Sequence, residues 1–159
     1  MVSRPQELLR TLTRAERLAT RRLQGVLDEF DCSVEAWRVL VLLSDGQGHN
    51  MTAIADSAFL PPPSLTKLVD QLVDQNLVYR RVDPADRRRV LARLTPRGRQ
   101  YWQRLDRRVR SDWAELAGLV PQDEAERLQL ELTRFADALD GADGAAAPGR
   151  GSDALGRGR

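Results

Sequence analysis

The sequence predicts a mainly α-helical fold carrying one small β-hairpin, and three observations predict it. Apolar residues recur at three- and four-residue steps through most of the chain, the spacing of helices with one buried face. Two short runs rich in β-branched and apolar residues, LVYRRV and RRVLARL, interrupt that spacing and are separated by the turn-forming DPAD. Prolines and glycines punctuate the rest at intervals that suit helix boundaries. The length, 159 residues, fits one domain with a sizeable core.

Each element follows from its residues. Residues 5 to 30 read as a long helix with Leu8, Leu12, Ala15, Ala19, Leu23, Val26 and Phe30 on one stripe. DCS breaks it, and Ser33 is placed to cap a second helix, VEAWRVLVLLS, apolar on most of its circumference. The glycines of DGQGH make a loop, after which Asn50 can cap a short third helix, MTAIADSAF. Three prolines stop it, and a fourth helix starts at about Pro63, where a missing N–H costs nothing. Leu65, Leu68, Val69, Leu72 and Val73 form its apolar face, and Asn76 is a suitable left-handed stop. After the hairpin, Thr95 and Pro96 open a long helix with Trp102, Leu105, Val109, Trp113 and Leu116 on one stripe. Pro121 begins the last helix, with Ala125, Leu128, Leu132, Phe135 and Leu139 expected to face inward. The tail from 141 to 159 is rich in Gly, Ala and Arg and is expected to be disordered.

A short helix, an amphipathic helix and then a hairpin are the order of a winged helix-turn-helix, here spanning 33–98. The helices on either side, within 1–32 and 99–140, are left over and need a partner.

Charge is unevenly spread. The formal net charge is +2, yet twelve arginines lie between Arg80 and Arg110 against only Asp83, Asp86 and Asp106, and the balance turns acidic from Asp112 onward. Such a basic segment suits a polyanion. One cysteine, Cys32, excludes an intrachain disulfide framework. One histidine, His49, with no second histidine and no cysteine near it, argues against a metal site, and no cofactor is implied. No phosphate loop, HExxH or nucleophile elbow occurs, so an enzyme is not expected. No run has signal-peptide or membrane-span character, which makes a soluble cytoplasmic protein the expectation.

The fourth helix and the hairpin carry the candidate chemistry. With its apolar face buried, the helix presents Pro63, Ser64, Thr66, Lys67, Asp70, Gln71 and Asp74. Hydroxyls, an amide and the chain's one lysine lie toward its start, where they can meet base edges or phosphates of double-stranded DNA in the major groove. Free N–H groups at the helix start are expected to hold a phosphate. On the hairpin, Arg80, Arg81, Arg87, Arg88 and Arg89 face no matched acidic run and would repel one another unless a polyanion neutralised them. A narrow minor groove accepts an inserted arginine. Asp86 is expected to brace the Arg88 guanidinium through a bidentate pair, while Asp83-Pro84 sets the turn.

LVYRRVDPADRRRVLARLTPRG resembles the wing of the MarR-type (multiple antibiotic resistance regulator) transcription factors, matching an Asp-x-Arg pair, apolar residues, then Leu-Thr and Gly at Asp86, Arg88, Leu91, Leu94, Thr95 and Gly98. PSLTKLVDQLVDQNLV is similar to that family's recognition helix at Thr66, Lys67, Leu68, Val69 and Asp70. The resemblance implies a homodimer intertwined through the terminal helices, with a winged helix on each protomer and a roughly palindromic operator. Half-sites would lie about one helical turn, ~10 bp, apart. It also implies repression relieved by a small aromatic or phenolic effector, for which Trp37 with Arg14, Arg17 or Arg38 are the candidate residues. Cys32 lies outside the first-helix position of the family's peroxide sensors, and an inert buried thiol is the simpler reading. Pro61 and Pro62 depart from the family's capped, polar entry to this helix. The competing reading is a winged-helix module that docks an acidic protein.

Overall fold

The computed structural model describes residues 4–118 and 120–145. Two compact units divide the chain, 1–113 and 114–159.

In the first unit, α1 (Pro5–Leu27) opens on a proline and passes into one 3₁₀ turn, Asp28–Phe30, which replaces the end of the predicted longer helix. Asp31, left-handed at φ 52°, ends that turn. Both polar caps form as the sequence predicts. Ser33 Oγ accepts the Ala36 N–H at 3.0 Å to start α2 (Val34–Leu43), and Asn50 Oδ1 accepts that of Ala53 at 2.9 Å to start α3 (Met51–Ala58). Such caps contribute about 1 kcal/mol each. α4 (Pro62–Asp74) ends where Asn76 adopts φ 56°, so that the N–H groups of Asn76 and Leu77 return to Val73 O and Leu72 O.

Strands β1 (Val78–Val82) and β2 (Val90–Leu94) pair antiparallel, with Val78 opposite Leu94 and Arg80 opposite Ala92. His49 adds a bridge that the sequence did not suggest, exchanging both backbone hydrogen bonds with Ala92 at 3.1 and 2.8 Å. The loop before α3 thereby becomes a rudimentary third strand. Its two glycines had hidden this, since they serve the turn at Gly46 and Gly48 and not the extended residue after them.

One core unites these elements. Leu27, Val39, Leu40, Leu43, Ile54, Leu65, Val69, Val78 and Leu105 are fully buried in it, each contributing at most about 1.5–3 kcal/mol. α5 (Pro96–Ala117) enters that core through Leu105. Farther along, the expected stripe emerges, and Trp113 is half exposed. α1 likewise leaves Leu8, Leu9 and Leu18 in the open.

The second unit is built on α6 (Gln122–Ala145). Leu128, Leu132, Phe135 and Leu139, expected to face inward, are exposed. The reason is that a single helix offers them nothing to bury against. Helix also continues through 141–145, which the compositional reading assigned to a disordered tail, because no proline occurs before position 148 to stop it. The remainder of that tail, 146–159, lies outside the described residues.

The start of α5 is the tightest junction of the lobe. Thr95 Oγ1 donates to Asn76 O at 2.7 Å and accepts the Gly98 N–H at 2.8 Å, while the Thr95 N–H reaches Leu77 O at 3.0 Å. A Cβ on Gly98 would lie 2.0 Å from that same Leu77 oxygen. Gly98→Ala should therefore cost about 1–3 kcal/mol of stability or more, read as a lowered urea midpoint with the slope unchanged.

Candidate nucleic-acid interface

Pro63, Ser64, Thr66, Lys67 and Gln71 all lie exposed on α4, opposite the buried Leu65, Val69 and Leu72. The helix start differs from expectation. Pro61 is the N-cap and Pro62 and Pro63 follow it, so three of the N–H groups expected to hold a phosphate do not exist, and no side chain caps the end. Thr66 Oγ1 donates its proton to Pro62 O at 3.0 Å, which leaves the hydroxyl oxygen as an acceptor toward solvent.

The hairpin sorts its arginines into two kinds. Arg80 is not free: its guanidinium meets Asp70 Oδ1 on α4 at 2.6 Å, because the register that sets Arg80 opposite Ala92 turns it toward the core-facing side. Charge repulsion read from sequence missed this partner, ten residues away. Arg93 was not singled out at all, yet it donates to Gly46 O and Gln47 O at 3.0 and 2.8 Å and ties the hairpin to the loop before α3. In that loop Asp45 accepts the Gln47 N–H and contacts His49 Nε2 at 2.7 Å. Partial burial pushes the Asp45 carboxyl up, but the Gln47 N–H, His49 and Arg93 outweigh it and hold the group below the ordinary range. Among the described residues, no carboxylate lies within ion-pair distance of Lys67, Arg81, Arg87, Arg88 or Arg89.

DPAD does shape the tip, by a different route from the one expected. Asp83 Oδ1 accepts the Ala85 N–H at 2.9 Å, and Asp86 Oδ1 accepts the Arg88 N–H at 3.0 Å. The Arg89 N–H then reaches Asp86 O, and the Asp83 N–H reaches Arg89 O, closing the loop. Asp86 thus braces the main chain of Arg88 and not its guanidinium. With only one residue between them, the short carboxylate reaches the nearby amide more readily than the end of a long side chain.

A family model described as the MarR family matches residues 33–90, the part of the lobe from the cap of α2 to the start of β2. Over that stretch the chain is similar to the MarR family. It is 24% identical over 132 residues to the HTH-type transcriptional regulator FarR of Neisseria gonorrhoeae, covering 81% of this chain and 90% of that one. It is also similar to the solved structure of the transcriptional repressor CouR bound to a 23-mer DNA duplex, at 26% identity and TM-score 0.72, covering 79% and 89% of the two chains. The fold is shared with NadR, solved in complex with 4-hydroxyphenylacetate, at 20% identity and TM-score 0.74, covering 86% and 95%. Of these relatives, FarR and CouR are named as transcriptional regulators or repressors. Among the described residues, no three of His, Cys, Asp or Glu come together to hold a metal ion, and no helix is long and apolar enough to cross a membrane.

The residues that the family resemblance suggested for an effector are dispersed. Arg14 and Arg17 line a shallow depression made by α1 alone, together with Leu9, Thr13, Leu18 and Arg21. Trp37 packs on the core, with its Nε1 buried and without a hydrogen-bond partner among the described residues. Arg38 stacks over the Phe59 ring, 5.3 Å from its centroid. Cys32 is buried beside Tyr101, whose hydroxyl donates to Phe30 O at 2.9 Å. Burial pushes the thiol up, only partly opposed by the Tyr101 contact, and burial with the neighbouring Cys32 pushes the phenol above its usual range.

Two outcomes follow. Asp86→Ala should speed amide exchange at Arg88 and Arg89 while leaving the strand amides of β1 and β2 protected. Native Cys32 should alkylate at pH 8 far more slowly than in urea, since the thiolate is the reactive form and burial disfavours it. A rate matching the unfolded chain would show the thiol open and ionised.

Proposed function

We propose that this protein is a MarR-family regulator: a cytoplasmic, sequence-specific double-stranded-DNA-binding repressor that acts as a homodimer on a roughly palindromic operator and responds to a small aromatic or phenolic acid. One observation carries the reading. Among the described residues, the guanidinium groups of Arg81, Arg87, Arg88 and Arg89 have no carboxylate partner on a hairpin adjacent to the exposed polar face of α4. Placed together, the two elements suit adjacent grooves, α4 with Ser64, Thr66, Lys67 and Gln71 in the major groove and the arginine tip in the minor groove. The CouR structure on duplex DNA supports the same use of the fold.

Dimerisation is supported by unsatisfied apolar faces. Leu8, Leu9 and Leu18 on α1 and Leu128, Leu132, Phe135 and Leu139 on α6 are too many to leave in water, and a second copy covers them. Two-fold symmetry then sets half-sites about 10 bp apart. For the effector, the support is the buried, unpartnered indole N–H of Trp37, a donor whose desolvation costs about 1–3 kcal/mol unless an acceptor reaches it. An aromatic acid offers that acceptor on a flat apolar body, and NadR shows the fold accommodating such a molecule.

Binding measured by fluorescence anisotropy should fall steeply with salt, and specific competitor should displace the protein far better than random duplex. Arg88→Ala should lower affinity by about tenfold, the order of one specific contact at ~1–3 kcal/mol, with the dimer intact in sedimentation. Lys67→Ala should reduce the salt slope by about one. Equal binding to every duplex would favour the protein-docking module instead.

A further inference from the structure

We propose that the turn entering α4 reads thymine methyl groups: Phe59, Pro62 and Pro63 form an apolar lip that packs on the C5-methyl of thymines in the major groove. The inference rests on the DNA-binding reading above and specifies the chemistry of its leading contact.

This turn lacks donors. A helix start normally leaves four N–H groups free. Here Pro61, Pro62 and Pro63 supply none, Leu65 N–H is taken by Pro61 O, and only the Ser64 N–H is left unpaired in that turn. A donor cluster able to grip a phosphate or a base edge is therefore absent from the end of α4 that enters a groove first. Hydrocarbon stands in its place, since all three prolines are exposed. Pro63 lies one turn ahead of Thr66 and Lys67 on the same helix face.

Phe59 supplies the aromatic part of the lip. It ends α3 in the left-handed region, φ 56°, where a bulky side chain is strained and Gly or Asn would be comfortable. The residue is 79% exposed, so the core gains little from it. Arg38 lies over its ring, 5.3 Å from the centroid, close enough for a cation–π contact. A strained, water-exposed aromatic in contact with a cation is positioned for something outside the chain.

Charge selects the partner. Arg38 and Lys67 flank the lip, and the free arginines of the wing lie on the next element, so the surface around this hydrocarbon suits a polyanion. The major groove presents one apolar base-edge group, the thymine methyl, beside its phosphates. That combination matches the lip.

The test uses the full-length protein and a duplex obtained by binding-site selection, with each thymine replaced singly by deoxyuridine. This removes the methyl and keeps the base pair. At one or two thymines per half-site, affinity should drop about fourfold, the ~0.8 kcal/mol of one buried carbon group at 1.4 kcal/mol per tenfold. In Phe59→Ala and in the Pro62→Ser/Pro63→Ser double variant that uracil penalty should vanish, whereas in Lys67→Ala it should persist. Circular dichroism confirms that each variant is folded, and both sets of positions are exposed. Specific binding that is indifferent to every uracil replacement overturns the methyl reading and leaves the DNA reading standing. Failure to select any duplex overturns both.

Discussion

The contact on which the lobe depends is the approach of the Gly98 backbone to the carbonyl of Leu77. That one oxygen lies where the end of α4, the first strand and the start of α5 converge, and no side chain fits between them. Thr95 fills the remaining hydrogen-bond positions, accepting from Gly98 and donating to Asn76. The hairpin therefore leaves the core at a fixed angle to α4. Arg80 to Asp70 adds a tie on one side, and Arg93 to the carbonyls of Gly46 and Gln47 adds another. These ties are exposed or half-exposed, and their worth is in geometry more than in stability.

Partnering divides the basic residues by task. Arginines near the base of the hairpin are consumed within the fold, and those toward its tip are left without acids. The same division holds elsewhere on the chain, where Arg22 pairs with Asp112, and Arg108 with Glu29. A net charge near neutrality conceals this, since acids such as Asp70, Glu29 and Asp112 are engaged by other arginines, leaving the tip as a local excess.

Much of the fold was legible in the sequence because its signals are local. Ser33, Asn50 and Asn76 act within four residues of themselves, and the DPAD turn is a matter of adjacent amides, so periodicity and capping chemistry reach them. What escaped was long-range. Nothing near His49 announces its pairing with Ala92, and Arg80 finds Asp70 only once the register of the strands is known. The prolines at 61 to 63 were legible, but how many donors they remove depends on where the helix starts, which is at Pro62 and not at Pro63. Phe59 reads from sequence as the end of the third helix, MTAIADSAF, and its left-handed backbone and exposure appear only in the folded chain.

The way the tip is braced has a consequence for adaptability. Asp83 and Asp86 spend their carboxylates on main-chain amides, so the loop backbone is set while the guanidinium arms beyond it keep their rotamers. An arm of that kind gives up its freedom only upon contact, an entropic toll that tempers strength but tolerates clefts of differing width. Fixing the arms by direct ion pairs would have produced a tighter and less forgiving grip. The hairpin is instead a rigid mount with compliant ends, able to follow a target whose contour varies from one site to another.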